Sequence, residues 1–577
     1  MWISQFTLIA LSTIFGVLTL AETIDHPVRC RYVKGDAQWP DEGIWKRELP
    51  GVVNTPVRVN ASSTDYTLFA KGVVDVQNAV KFAAKYNVRL TITNSGSDFL
   101  GRCDAGSGLW LAVGNLKGLR VHQDIHAAYE SPPLNYSADP VSTANFIGPD
   151  RFDDAYVSFG TGVTAQELND ALAKSGLFAI GSAYGGVKVA GGYSLSGGHG
   201  PFSSKYGLAS DNIISYKLIT PTGSILTANL NTNTDLFWAL RGGGSGFGII
   251  IEATMKAHPT PLISMIRFWI RTTDPNDMVS IFGPSAYIMG KLVELNRRGV
   301  QGYFYIYPNT VWGYFLTADG DAGIETLKRM FDPLFGDIGD EFEATINKPI
   351  VTYANFDNYK QFFDWRFKER ISPSGLEPAK SRGLSALDSR LLGEEHLSSR
   401  ELARALKEAM PTSQGGQLRG HLVGGGAVVK RGEEMGAVNP AWRRAFVHLI
   451  ASGSRPNATS LKVLAPEMGC YLNECSPRET HWKQTMFGSS YNRLYTIKQK
   501  YDPKGVLWST PSVGADDYFL DGHRLCKTPP DAVQYNPYGF PPATDNNVTV
   551  SGGPGYSSLP ASQEEAEREG PRLGTWN

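Results

Sequence analysis

Three glycine-rich loops, each set between predicted strands and helices, constrain this chain more than any other feature. The densest runs from Gly181 to Gly200 and contains Val189-Ala190-Gly191-Gly192-Tyr193-Ser194-Leu195-Ser196-Gly197-Gly198-His199-Gly200. Glycine is entropically costly, so such density belongs where main chain must approach a flat ligand or another strand closely. A second loop follows a segment with Val76, Val80, Ala83 and Ala84 at helical spacing, which predicts a helix over Val73 to Val88 and then a strand over Val88 to Thr93. That strand empties into Asn94, Ser95, Gly96, Ser97, Asp98, Phe99, Leu100, Gly101 and Arg102. Short polar side chains and glycines favour a tight loop with exposed backbone amides, a setting that suits an anion. The third loop, Arg241 to Gly248, leads into a strand predicted over Ile249 to Ile251. Three such loops imply one long cofactor.

One further segment imitates a dinucleotide fingerprint. A strand over Ala155 to Phe159 passes through Gly160-Thr161-Gly162-Val163-Thr164-Ala165 into a helix closed by Gly176. A Rossmann site also needs an acidic residue about 20 positions on to hold the ribose, and Phe178 to Gly198 contains neither Asp nor Glu. That reading is rejected. The absence of any G-x-S-x-G likewise removes the anchor of an α/β-hydrolase.

With 577 residues the chain exceeds one ordinary hydrophobic core, so two or more units are expected. Beyond Pro261 the texture changes to strands such as Met265 to Arg271 and Gly302 to Tyr307, alternating with amphipathic segments such as Ser399 to Met410, as in an α+β unit. A formal net charge of -1 gives no reason to expect nucleic acid or an anionic membrane. The apolar stretch Phe6 to Leu20, ending in Thr19-Leu20-Ala21, reads as a signal peptide over residues 1–21, and with it secretion and no membrane anchorage after cleavage. Sequons at Asn60, Asn135, Asn457 and Asn547 agree with that route. Cys30, Cys103, Cys470, Cys475 and Cys526 allow at most two disulfides, whose pairing spacing does not assign. No metal site is predicted: there is no C-x-x-C, and the segment holding His122 and His126 has no helical periodicity to bring them onto one face. The tail beyond Pro529, rich in Pro, Gly, Ser, Asn and Glu, is expected to be flexible.

Taken together, Asn94 to Arg102, Gly160 to Ala165, Ala190 to Gly200 with Tyr206 to Asn212, and Trp238 to Gly248 resemble the flavin-binding module of the vanillyl-alcohol-oxidase superfamily, closest to fungal berberine-bridge-like oxidases. The resemblance continues through Asn439-Pro440-Ala441-Trp442-Arg443, Gly469 to Glu474 and Tyr491 to Pro503. It implies a two-domain α+β architecture of the PCMH-type FAD-binding kind: an N-terminal FAD part over 22–260, a substrate domain over 261–465, a return segment over 466–528 and a tail over 529–577. By the same resemblance Asn94 to Arg102 wraps the pyrophosphate, with Asn94 to Gly101 as its binding residues. Gly162, Gly191, Gly192, Gly197, Gly198, His199, Gly200, Gly207, Asn212 and Gly248 complete the cradle. Two departures matter. Ser97 stands where many relatives carry a flavin-linking histidine, and Tyr184 where they carry a linking cysteine, so the FAD is expected to be non-covalent. The family's Y-x-N pattern is matched by Tyr471 and Asn473, which makes Tyr471 the first candidate for a catalytic base, with Glu474 and His448 as alternatives. The expected activity is oxidation of a small molecule, a natural product rather than a sugar, with dioxygen reoxidising the flavin. The aromatics Phe362, Phe363, Trp365 and Phe367 of the middle region lend that choice some support. A redox-neutral isomerase or cyclase is the alternative, and a flavin-binding scaffold without catalysis the third.

Overall fold

The computed structural model describes residues 30–54, 65–136, 139–148, 154–319, 323–367, 387–413, 415–453 and 455–529. The predicted signal peptide, the tail beyond 529 and the sequons at Asn60 and Asn547 lie outside these residues. Three sheets organise the rest. The first has the order Val53–Asn54, Tyr66–Phe69, Leu109–Ala112, Leu90–Thr93, its last three strands parallel. Helix Val73–Lys85 supplies the crossover and buries Val76, Ala79, Val80, Phe82 and Ala83, the face its apolar spacing predicts. It stops three residues short of the predicted Val88 because Asn87 takes a left-handed φ of 51° and cannot continue the helix.

The second sheet holds Leu119–His122, Tyr156–Gly160, Ile249–Lys256, Ile213–Ile219 and Ile225–Asn229 in that order, every pair antiparallel. An antiparallel sheet is no Rossmann core, in keeping with the missing acidic residue. Strand Ile249–Lys256 runs five residues beyond the predicted Ile251 and is buried almost throughout. The residue that breaks its apolar run, Glu252, is compensated by Lys217 Nζ at 2.8 Å and Tyr136 OH at 3.2 Å.

The third sheet has seven strands in the order Ile350–Phe356, Ile263–Arg271, Thr310–Ala318, Gln301–Tyr307, Gln417–Leu422, Val447–Ser452, Leu387–Leu392, all antiparallel. Helices Phe282–Arg297 and Ile324–Glu341 pack against it. Helix Leu402–Ala409 buries Leu402, Ala405, Leu406 and Ala409, one face at helical spacing.

The C-terminal segment returns to the N-terminal one. Cys30 and Cys526 form a disulfide, and Arg524 grips Asp36 through both terminal guanidinium nitrogens at 2.6 and 2.8 Å. Within helix Tyr491–Tyr501, buried Lys498 donates to Asp502, to Gly246 O at 2.7 Å and to Leu507 O at 3.1 Å, fixing the third glycine loop. A second disulfide joins Cys470 to Cys475, and Cys103 stays outside both. Among the described residues no helix is long and apolar enough to cross a membrane.

Candidate active site

Glycine lets the predicted loops converge. Gly162 lies so close to Gly114 that a Cβ would stand 2.4 Å from the Gly114 carbonyl oxygen, and a Cβ on Gly191 would stand 2.7 Å from Asn94 Nδ2. The Asn94 side chain donates to Thr161 O at 2.8 Å and to Ala190 O at 3.2 Å, tying all three segments together. Thr161 Oγ1 donates to Ala190 O as well. Lys188 Nζ donates to Asn94 O at 3.0 Å, and burial lowers its pKa to about 8.

Ser97 and Gly192 are exposed on this assembly, and a Cβ on Gly192 would meet open space. Among the described residues the N–H groups of Ser95, Gly96, Asp98 and Phe99 make no hydrogen bond, and the buried Asn94 Oδ1 is also without a partner. Unpaired backbone donors on a glycine loop, with room in front of Gly192, fit an anionic cofactor with a pyrophosphate.

A set of titratable side chains borders these loops. Asn473 Nδ2 donates to Gly192 O at 3.1 Å and to Tyr471 OH at 2.7 Å, while its Oδ1 accepts from Arg102 Nη2 at 2.9 Å. Arg102 is held by Asp98 Oδ1 at 2.7 Å, so the first loop and the Y-x-N motif form one network. Glu474 Oε2 shares a hydrogen bond with His199 Nε2 at 3.3 Å. His448 and His421 sit directly opposite each other on neighbouring strands, and Tyr303 sits opposite His421 on the next. Cross-strand partners share a sheet face, so these three side chains form a row under the glycine loop. The ring of His199 lies 5.0 Å from that of His421, 5.6 Å from His448 and 5.1 Å from Tyr471.

Burial and the charge of Glu474 push the Tyr471 phenol above its ordinary value, against the Asn473 hydrogen bond, Arg102 and the Gly198 backbone. Burial by itself would raise the Glu474 carboxyl, but the hydrogen bond with His199 and the nearby His448 and His421 outweigh it and hold the group at about 2. Burial lowers His448 to about 3 and His421 well below the usual imidazole range, so both rings are neutral near pH 7. An ionised carboxylate, a phenol and neutral imidazoles beside a cofactor cradle are the equipment of proton transfer.

The family model described as FAD binding domain matches residues 64–229, the span that builds the cradle. A second, described as berberine and berberine like, matches residues 470–514, which carry Tyr471, Asn473 and Glu474. Both matches mark an FAD-linked oxidoreductase that is similar to the berberine-like ones. An uncharacterized FAD-linked oxidoreductase of Arthroderma benhamiae is 29% identical over 501 residues, covering 80% of this chain and 79% of that protein. A bifunctional decalin synthase of Penicillium decumbens is 28% identical over 497 residues, covering 80% and 78%. The fold matches the crystal structure of a VAO-type flavoprotein from Myceliophthora thermophila C1 with a TM-score of 0.75 at 21% identity, covering 87% of this chain and all of that one.

In this oxidoreductase the site residues expected from sequence fall into two sets. Asn94, Asp98, Gly162, Gly191, Gly192, Gly198, His199, Tyr471, Glu474 and His448 are joined by the contacts above, and Ser95, Gly96, Ser97, Phe99, Leu100 and Gly101 lie on the same loop as Asn94 and Asp98. Gly197 and Gly200 take part in close packing: a Cβ on Gly200 would stand 2.5 Å from Gly181 O. Gly207, Asn212 and Gly248 sit in supporting structure. Asn212 Nδ2 donates to Tyr206 O and Leu208 O, its Oδ1 bonds His258 Nε2 at 2.8 Å, and a Cβ on Gly248 would collide with Leu218. Tyr184 is half-buried in the turn before Val187. Sequence reasoning missed His421 and Tyr303, and it placed Arg102 on the first loop without its bond to Asn473. Only the cross-strand register puts the first two in the site, and nothing local to either signals it.

Proposed function

We propose that this FAD-linked oxidoreductase removes two electrons and two protons from a small organic substrate carrying a hydroxyl group, a natural product rather than a sugar, with dioxygen as the final acceptor. Bound FAD supplies the two-electron acceptor. Its holders are the Asn94 to Gly101 loop, Gly162 and the Gly191 to Gly200 run. The reading rests above all on the hydrogen bonds that attach Tyr471 through Asn473 to Gly192, because they hold a phenol beside the cofactor loop. Tyr471 binds the substrate hydroxyl and takes its proton. Tyr471 does this as the phenolate, having released its own proton beforehand, and Asn473, the Gly198 backbone and Arg102 stabilise the negative oxygen until the substrate's proton neutralises it. Trp442, with its ring 5.8 Å from Tyr471, and the neutral His448 wall the site against water.

Ser97 and Tyr184 replace the side chains that tether the flavin in many relatives, which supports a dissociable FAD. The two disulfides and the apolar stretch Phe6 to Leu20 support a secretory route. A second reading, redox-neutral cyclisation on the same framework, is favoured by the likeness to the decalin synthase and by the loss of both tethering side chains. Anaerobic mixing with substrate separates the two. Oxidation bleaches the flavin band within a turnover, and air restores it with hydrogen peroxide. Product without bleaching and without dioxygen uptake overturns the oxidase reading in favour of the cyclase.

A further inference from the structure

We propose that His199, His421, His448 and Glu474 form a binding site for a divalent cation of the zinc class, which fastens the glycine loop to the seven-stranded sheet and to the C-terminal segment. One ligand atom from each of the four lies within 4.8 Å of every other. They come from three separate places: His199 from the glycine run, His421 and His448 from opposite positions on strands Gln417–Leu422 and Val447–Ser452, and Glu474 from the short turn Leu472–Glu474. For a regular tetrahedron with that edge the centre is roughly 2.9 Å from each atom. Zinc bonds to nitrogen and carboxylate oxygen of about 2.0–2.2 Å then ask each side chain to move in by roughly 0.9 Å or less.

The second observation is what the histidines lack. His421 and His448 are 3% and 0% exposed, and among the described residues both nitrogens of both rings make no hydrogen bond. His448 Nδ1 approaches Glu474 Oε2 to 3.5 Å without hydrogen-bond geometry. Leaving one buried polar group unsatisfied costs about 1–3 kcal/mol, so two bare imidazoles facing one carboxylate are expensive unless a shared ligand satisfies them. Three nitrogens and one carboxylate oxygen suit Zn²⁺ or a similar ion, and four protein ligands describe a closed, fastening site rather than an open catalytic one.

The other histidine–carboxylate group, Glu395, His396 and Glu467, is the reverse case. His396 Nδ1 accepts from Gly393 N–H at 2.9 Å and Nε2 pairs with Glu467 at 2.8 Å, so neither ring nitrogen is bare. The proposal departs from the sequence expectation of no metal site, which weighed only local spacings such as His122 and His126. Those two remain apart, His122 buried against Ser158 and His126 exposed on a short helix. The proposal stands independently of whether the enzyme oxidises or cyclises its substrate.

The test is metal analysis of the FAD-loaded full chain, purified without chelator and again after incubation with zinc chloride and desalting. One equivalent of divalent metal per chain is expected, with cobalt substitution giving the visible bands of a four-coordinate ion. His421→Gln and His448→Gln should each lower retention at least tenfold, the scale seen when metal sites lose support. His396→Gln should leave both retention and flavin content unchanged. Should the first two variants fail to fold, thermal stabilisation of the unmodified protein by zinc chloride, reversed by chelator, carries the test instead. Less than a tenth of an equivalent after zinc incubation overturns the proposal. Retention unaffected by either glutamine overturns it too, as does zinc that leaves the melting temperature unchanged.

Discussion

Replacing Arg443 by methionine tests how the candidate site is held from behind. Its guanidinium donates to Asp211 Oδ2 at 2.9 Å, to Asp211 Oδ1 at 2.7 Å and to Val428 O at 2.9 Å, and both side chains of the pair are 4% exposed. Methionine fills much of the volume but removes all three bonds and strands the carboxylate. Breaking a buried pair by removing one partner costs about 3–5 kcal/mol. Asp211 keeps one donor, Leu208 N–H at 3.0 Å, which places the expected loss at the lower end, about 3 kcal/mol. Because Arg443 ends the short helix Pro440–Arg443, its loss also frees Trp442, whose ring stands 5.9 Å from His448 and 5.8 Å from Tyr471. Turnover should therefore fall together with stability. Urea unfolding followed by tryptophan fluorescence measures the first effect. The double variant Arg443→Met with Asp211→Leu should recover most of the stability, since no charge is then stranded. A single variant losing less than about 1 kcal/mol, or a double variant no better than the single, would refute the reasoning.

Tyr471→Phe should cut turnover by roughly 10²- to 10⁴-fold while keeping the flavin absorbance; near-normal rates would shift the proton transfer to Glu474 or His448. Acid precipitation should release the flavin completely into the supernatant, and fluorescence left on the denatured polypeptide would show a covalent link despite Ser97 and Tyr184. Stability should fall on acidification between about pH 6.5 and 4. Burial holds His258 at about 3 and His122 at about 4, so across that window the unfolded chain binds protons that the folded one does not. Each contributes stability that is present in full above pH 6.5 and is lost below it at up to roughly 1.4 kcal/mol per pH unit. A melting temperature flat from pH 7 to 4.5 would contradict this.

The cradle was legible in the sequence because its glycines are costly: Gly162 and Gly191 are needed where backbone meets backbone or Asn94, and no other residue fits. Strands and helices were legible wherever apolar spacing was regular, as in Val73–Lys85, and boundaries slipped where one residue changed the rules. Asn87 ended a helix early through its positive φ, and Glu252 concealed a strand that continues because Lys217 compensates its charge. The Tyr471–Asn473 spacing pointed to a site, but its attachment to Gly192 and Arg102 could not be read from it. The histidine cluster was hidden for a related reason. His421 and His448 are ordinary members of alternating strands until the register sets them face to face.

The returning C-terminal segment fixes an order of events in the making of the enzyme. Arg102 and Asn473 are 371 positions apart in the chain yet share the bond that joins the first loop to the Y-x-N motif, and Cys30 waits 496 positions for Cys526. Both partners must leave the ribosome before either contact exists. A nascent chain that stops anywhere before Tyr471 therefore has its glycine loops without the side chains that border them.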